Sequence, residues 1–325
     1  MPQRRFASIH VVGTNGKSSV ATMAAALLEA AGTAAGAYLS PHAERWSERV
    51  RVRDREIEPD AFAAAVERVA QSVPAVDRTL EEGDAVTQFE AVTAAAFVAL
   101  AAARVEVGVI EAGLGGRLDA TNVLRSHVVL LTNIGLEHTD VLGETRAKIA
   151  AEKLAVVQEG TIAVLPDREF AHLAGPDVVI GGPREAAAAF LGSEPESEVD
   201  VALPGRLERR GEEVWDGAHN ADGVRWLVSR LDRDDYTVVA SILRDKDTLA
   251  MLSTLATVGR RFVATQSANE RALDAAELAH LASHHFAEVK AEPDPVAALS
   301  LARRHSPVLV TGSLYLLAAL ARNEA

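Results

Sequence analysis

The chain has 325 residues, 48% of them hydrophobic and 24% charged, and a formal net charge of −13: enough length for two domains and a large core, with the balance of a soluble globular protein. That acidity argues against a nucleic-acid partner, whose phosphates need a basic surface, yet leaves room for a nucleotide at a local positive site. With no cysteine, disulfides, thiolate nucleophiles and cysteine-ligated zinc are ruled out. The longest apolar run, Ala94 to Ala103, is too short to span a bilayer, and Met1 to Arg5 leads into a strand rather than a signal-peptide core, so no membrane partner and a cytoplasmic location are expected.

The first element is a short apolar strand, Ile9 to Val12, followed by Gly13-Thr14-Asn15-Gly16-Lys17-Ser18-Ser19 and an Ala/Leu-rich helix from Ser18 to Ala31. Strand, glycine turn, lysine, hydroxyl and helix form a phosphate cradle: N–H groups and the helix dipole face the anion, and Lys17 adds a point charge. The strict pattern places a glycine where Val11 stands, so only Gly16-Lys17-Ser18 matches it fully.

A strand over Ala35 to Leu39 is stopped by Pro41, leaving Ser40 and His42 at its C-terminal end, the edge where open α/β sheets bind ligands. Val50 to Val52 is a brief extended piece, and helices are predicted over Asp60 to Ser72 and Glu90 to Ala103. The strand Val105 to Ile110 closes on Glu111, an acid placed where a magnesium ligand or water-organising carboxylate sits beside a phosphate loop. Gly113-Leu114-Gly115-Gly116 is a weak match to a dinucleotide fingerprint, because Leu118 occupies the third glycine position.

The strand Val128 to Leu131 leads to His138, on the rim shared with Ser40 and Glu111. Lys153 lies in a mainly apolar helix, Ala147 to Val157; buried there, it would lose its proton easily and could take up CO₂ as a metal-holding carbamate. Alternating strands and helices predict an α/β fold with a doubly wound parallel sheet. Gly181 to Asp200 reads as a boundary, with the seam near Val201 to Pro204. A second, smaller Rossmann-like run follows, with strands near Val214, Thr237 to Ile242, Arg261 to Ala264 and Val308 to Val310. In it, Asp216 to Asn220 is a strand end turning into a helix with Asn220 as N-cap, Arg206 is near in sequence, and His284-His285 read as surface residues.

An ordered series of stretches resembles the folylpolyglutamate and dihydrofolate synthases of the Mur ligase superfamily. These are the phosphate loop, Ser40-Pro41-His42 with Glu48-Arg49-Val50, Thr87 to Glu90, Glu111 to Asn122, Leu136 to Gly143, Glu152-Lys153, Pro204 to Glu208, Asp216 to Asn220, Asp245 to Asp247 and Gly312 to Leu316. The resemblance implies that residues 1–203 are the ATP-binding domain and 204–325 the glutamate-binding domain. It implies ATP held by Asn15, Gly16, Lys17, Ser18 and Ser19, with Arg206 and Asp216 contributing from the second domain. Ser40, Glu111, His138 and carbamylated Lys153 would hold Mg²⁺. Thr87, Gln88, Phe89 and Glu90, with Leu118, Asp119 and Ala120, would line the pteridine site; Arg49, His219 and Ser313 would place glutamate.

The implied activity is ATP-dependent ligation of L-glutamate to a folate or pteroate through an acyl phosphate, with Lys17, Lys153 and His219 as catalytic groups in a monomer. Relative to the family, the chain is expected to be shortened before the phosphate loop and between Lys153 and Pro204, and Ser18 replaces a usual glycine. A nucleotide-binding paralogue without ligase activity, or a Mur-type ligase for another acid, stands as the alternative.

Overall fold

The apolar run ahead of Gly13 forms β1 (Ala7–Val12), which ends at the glycine turn that starts α1 (Lys17–Ala30). The computed structural model describes residues 1–42 and 45–324. They form two compact units, Met1–Val201 and Ala202–Ala325. In the first, α1 is followed by β2 (Ala35–Tyr38), β3 (Val50–Val52), β4 (Arg55–Glu56), α2 (Pro59–Ala70), α3 (Val73–Asp77), α4 (Gln88–Ala102) and β5 (Val107–Glu111). Next come β6 (Val128–Leu131), α5 (Thr139–Leu142), α6 (Arg146–Leu154), β7 (Ile162–Leu165), β8 (Val178–Ile180) and α7 (Pro183–Leu191).

The sheet order is β4-β3-β2-β5-β1-β6-β7-β8. Its core is parallel, as predicted, and the brief extended piece Val50 to Val52 is β3, which pairs antiparallel with both β2 and β4 and forms a hairpin edge. Alternation along the strands sends Tyr38 and Ile110 toward α2 and α4, and Val12, Val129 and Leu131 toward α6. Helices α1 and α7 pack on each other, with α1 over β2 and β5 and α7 over β6 and β7. The stretch expected to be a boundary therefore contributes to this unit: Ala186 and Ala187 are fully buried, because a small-residue face lets α7 approach α1 closely.

The second unit contains β9 (Glu208–Arg210), β10 (Glu213–Trp215), α8 (Ala221–Val228), β11 (Thr237–Ala240), α9 (Thr248–Leu255), β12 (Arg261–Ala264), α10 (Ala275–Ala282), β13 (Glu288–Ala291), α11 (Pro295–Ala302), β14 (Val308–Thr311) and α12 (Leu314–Glu324). Its sheet runs β13-β12-β11-β14-β10-β9, parallel except for β9. Trp215, Val239, Val263 and Val310 pack against α11 and α12, while Val238, Phe262 and Leu309 belong to the cluster that includes residues of α8, α9 and α10.

Enlarging a fully buried small residue forces neighbours off their rotamers. Ala187→Leu is therefore expected to destabilise the first unit by about 1–3 kcal/mol in urea unfolding; a stability equal to wild type would show that α7 is not a working part of its core.

Candidate active site

The phosphate loop is shaped by β6 as much as by its own glycines. Gly13 has φ +147° and lies so close to Thr132 Oγ1 that a side chain would overlap it; Gly16, at φ +78°, is the left-handed N-cap of α1. Asn15 N–H donates to Asn133 Oδ1 (3.0 Å), and Asn15 O accepts from Thr132 Oγ1 (2.8 Å) and Asn133 Nδ2 (3.1 Å). Thr14 N–H donates to Asn133 O at 3.0 Å. These bonds hold the loop open at the N-terminus of α1, with Lys17 as its first helical residue and Lys17 Nζ donating to Thr14 O at 3.1 Å. Ser19, half-buried, follows on the first turn.

Beside the loop, parallel pairing sets Glu111 opposite Val11. Its carboxylate is 2% exposed, and Oε2 accepts from Ser18 Oγ (2.8 Å) and from Ser40 N–H (2.9 Å). One buried charge thus ties together the first turn of α1, the end of β2 and the end of β5. Lys153, 5% exposed near the end of α6, donates from Nζ to Gly13 O at 2.8 Å. Burial, and next the positive charge of Lys17, lower its pKa to about 8, against the opposing pull of Glu137 and Asp119. His138 is exposed at the N-cap of α5, with φ +51°. Among the described residues no three His, Cys, Asp or Glu side chains converge as a metal cluster. A hard cation beside Glu111 would complete its shell with hydroxyl, phosphate and water oxygens, which suits Mg²⁺.

The loop from Ala112 to Asn122 is clasped at Asp119. Asp119 Oδ1 accepts from Thr121 N–H (3.0 Å) and Thr121 Oγ1 (2.5 Å), and Oδ2 accepts from Leu114 N–H (2.8 Å). Gly116 lies against the backbone of Glu152 and Lys153 with no room for a side chain, and Arg117 N–H donates to Glu152 O at 3.2 Å. Leu118 is left 92% exposed, with half-exposed Ala120 between Asp119 and Thr121. Phe89 lies against Gly113 and 6.5 Å from the Tyr38 ring. Its neighbours Thr87 and Glu90 form a capping box that starts α4, with Gln88 exposed beside them. Arg49, 9% exposed, donates from Nε to His42 Nδ1 at 2.9 Å and lies over the Trp46 ring.

Beneath the clasp lies His10, 1% exposed, its Nε2 2.8 Å from Thr121 Oγ1. Thr121 has one hydroxyl proton, and a carboxylate only accepts. With that proton directed at Asp119, His10 is the donor, and its neutral ring carries the proton on Nε2. Burial, partly opposed by Asp119, lowers the His10 pKa to about 4.

In the second unit, the ends of parallel neighbours β10 and β14 bring Asp216, His219 and Ser313 to one edge. Asp216 is buried; Oδ2 accepts from Leu207 N–H (2.7 Å) and Oδ1 from Ala218 N–H (2.8 Å), and burial raises its pKa against the lowering effect of those bonds and of Arg206. His219 Nδ1 donates to Gly217 O at 2.9 Å, Arg206 donates from Nη1 to Gly205 O, and Ser313 Oγ accepts from Tyr315 N–H. Asn220 caps α8 as expected.

Residues 11–175 match the Mur ligase middle domain family. The dihydrofolate synthase/folylpolyglutamate synthase of Mycobacterium tuberculosis is 31% identical over 88% of this chain and 75% of its own length. The folylpolyglutamate synthase of Lacticaseibacillus casei is 31% identical over 98% of this chain and 90% of its own. The chain belongs to the folylpolyglutamate/dihydrofolate synthase family. The solved structure of a Mycobacterium tuberculosis family member complexed with ADP matches it with a TM-score of 0.89 at 29% identity, covering 99% of this chain and 91% of the other. An Escherichia coli member in complex with DHPP and ADP matches with a TM-score of 0.85 at 25% identity over 99% and 90%. A Yersinia pestis member complexed with AMPPNP and a Mn ion matches at 0.83 and 26% over 100% and 90%.

Among the residues singled out from sequence, the folate-synthase fold joins Ser18, Ser40 and Glu111 directly, and Lys153 to the phosphate loop. It gives Thr87 and Glu90 a helix-capping task and Asp119 a loop-closing one. Sequence reasoning missed Thr132, Asn133, Thr121 and His10. Only His10 left a signal: a histidine within the otherwise apolar run Ile9 to Val12.

Because His10 is neutral when folded, the unfolded chain takes up the extra proton below about pH 6.5, and stability falls as pH drops from 6.5 toward 4. The loss expected from this residue is about 3 kcal/mol, read by denaturant unfolding across that interval; His10→Gln, which does not titrate, should lose correspondingly less.

Proposed function

We propose that this chain is an ATP-dependent ligase that joins L-glutamate to the carboxylate of a folate or dihydropteroate, using a divalent cation. The observation that carries this reading is the pair of hydrogen bonds that buried Glu111 accepts from Ser18 and Ser40 at the phosphate loop, placed beside the loop that carries Leu118, Asp119 and Ala120. Residues 1–203 act as the ATP-binding domain and 204–325 as the glutamate-binding domain. The reading includes a monomer in the cytoplasm, where ATP and reduced folates occur together.

The reaction runs in two displacements. A carboxylate oxygen of the acid attacks the γ-phosphorus and ADP departs; the glutamate amine then attacks the acyl carbon, the C–O bond to phosphate breaks, and the nitrogen loses a proton. Asn15 to Ser19 cradle the phosphates through backbone N–H groups, and Lys17 adds positive charge where the transferred group gains negative charge. Ser40, Glu111, His138 and Lys153 would hold Mg²⁺, which supplies charge neutralisation for phosphoryl transfer. The lowered pKa of Lys153 keeps a larger share of its amine neutral near pH 8, the form that adds CO₂. Leu118, Ala120, Gln88 and Phe89 contact the ring system of the acid. Arg206 and Asp216 serve the nucleotide, while Arg49, His219 and Ser313 orient glutamate.

The decisive assay measures ADP release and product mass with dihydropteroate or tetrahydrofolate, each with and without L-glutamate. Glutamate-dependent product with either acid is expected. Nucleotide turnover without product from either would favour the paralogue that lacks ligase activity.

Glu111→Gln removes a charged oxygen from a hard-cation site. The magnesium concentration for half-maximal activity is expected to rise about tenfold or more, and an unchanged magnesium titration would count against Glu111 as a ligand.

Lys153→Ala is expected to lose ligation, with partial recovery on adding acetate or propionate as substitutes for the missing carbamate. Wild-type activity should likewise fall when CO₂ is stripped and return with bicarbonate. Full activity in Lys153→Ala without rescue would make the residue a structural lysine.

A further inference from the structure

The loop from Ala112 to Asn122 meets the substrate through Leu118 to Ala120 in the reading above, yet nothing in that reading explains the buried polar residues beneath it. His10 projects from the middle of β1 on the same face as Tyr38 and Val12, two strand residues packed in different apolar clusters. Its lateral neighbours, Ile110 on β5 and Val129 on β6, are fully buried. A polar ring in such surroundings has to be matched by a partner, and Thr121, itself fully buried, is that partner. A valine at position 10 would fit the strand pattern as well and would need no partner.

The direction of the hydrogen bonds is fixed by chemistry. Asp119 accepts from Thr121 Oγ1, so Thr121 accepts from His10, and the donors point one way from strand to loop. The acceptor at the end of that line also takes Leu114 N–H, so one carboxylate closes the loop at both its start and its finish. Three residues after His10, the same strand delivers Gly13, whose carbonyl accepts from Lys153 Nζ, and Gly116 of the clasped loop lies on the Lys153 backbone. The acid-binding loop and the phosphate loop are therefore referenced to one strand.

We propose that His10 and Thr121 are positioning residues for the acid substrate: the His10–Thr121–Asp119 line sets the loop that receives the folate or pteroate ring against the strand that delivers the phosphate loop. Neither residue touches nucleotide, and both act through Asp119. Losing the donor at His10 leaves the buried Thr121 oxygen short of a partner and no longer tied to β1, which loosens the loop while leaving the phosphate loop to its own bonds with Thr132 and Asn133. The effect is then selective for one substrate.

The inference rests on the ligase reading, and steady-state kinetics with separate variation of acid and ATP tests it. His10→Met removes the donor at similar length, and His10→Gln restores an N–H near the Nε2 position. Thr121→Val removes the hydroxyl, and Thr121→Ser keeps it. His10→Met and Thr121→Val are expected to raise KM for the acid about tenfold, with KM for ATP within about twofold of wild type and the Gln and Ser variants close to wild type. The double variant His10→Met/Thr121→Val should be no worse than Thr121→Val alone, because the two residues form one line.

Equal losses in His10→Gln and His10→Met, an equal rise in KM for ATP, unchanged KM in every variant, or additive losses in the double variant would each overturn the proposal. If His10→Met does not fold, the comparison of Thr121→Val with Thr121→Ser decides by the same criteria. If neither His10→Met nor Thr121→Val folds, the line serves stability rather than recognition and the proposal falls. Wild-type protein that ligates glutamate while the variants keep its KM overturns only this inference; wild-type protein that ligates neither acid overturns the reading beneath it.

Discussion

The buried carboxylate of Glu111 is the constraint around which the first unit is arranged. A charge at 2% exposure is costly to hold unless its oxygens are matched, and here the hydroxyl of Ser18 and the N–H of Ser40 converge on a single oxygen. Each donor comes from a different element, so the match forces α1, the end of β2 and the end of β5 into register. The parallel pairing of Val11 with Glu111 provides that register, since a slip by one residue would turn the carboxylate to the opposite face of the sheet. A glycine at position 18 could not make this bond, so the serine adds a tie between the helix and the acid.

Around that centre, the loops are held by neighbours rather than by themselves. Thr132 and Asn133 grip the phosphate loop through its backbone, and Asp119 grips both ends of the loop from Ala112 to Asn122. Glycines stand where backbones meet: Gly13 against Thr132, Gly116 against Lys153, Gly113 against Phe89. Preorganisation of this kind favours chemistry in which charge moves through a fixed set of donors, because little rearrangement is needed as negative charge develops. The second unit repeats the device with Asp216, whose two oxygens accept from Leu207 and Ala218 N–H groups and so shape the turn carrying His219.

Much of this was legible in the chain because local rules decide it. The strand-glycine-helix pattern from Ile9 onward, the apolar strands ending in Glu111 and at Thr132, and the Asn220 cap all follow from periodicity, glycine freedom and capping chemistry. The edge strands were not legible in the same way: β13 carries Glu288 and Lys290 and β8 is half exposed, so neither has the continuous apolar run of a central strand. Helix α7 read as a linker because it is short, is entered through Gly181, Gly182 and Pro183, and buries alanines rather than large side chains.

By itself, then, the sequence determined the α/β class, the phosphate loop and the identity of the polar residues at the strand ends, since each depends on neighbours a few positions away. Only the tertiary structure decided what those residues do to one another. Ser18 and Glu111 are 93 residues apart in the chain, His10 and Thr121 are 111 apart, and Lys153 and Gly13 are 140 apart. Contacts over such separations are set by sheet order and register, which place β5 and β6 on either side of β1, and no local pattern in the chain specifies that neighbourhood.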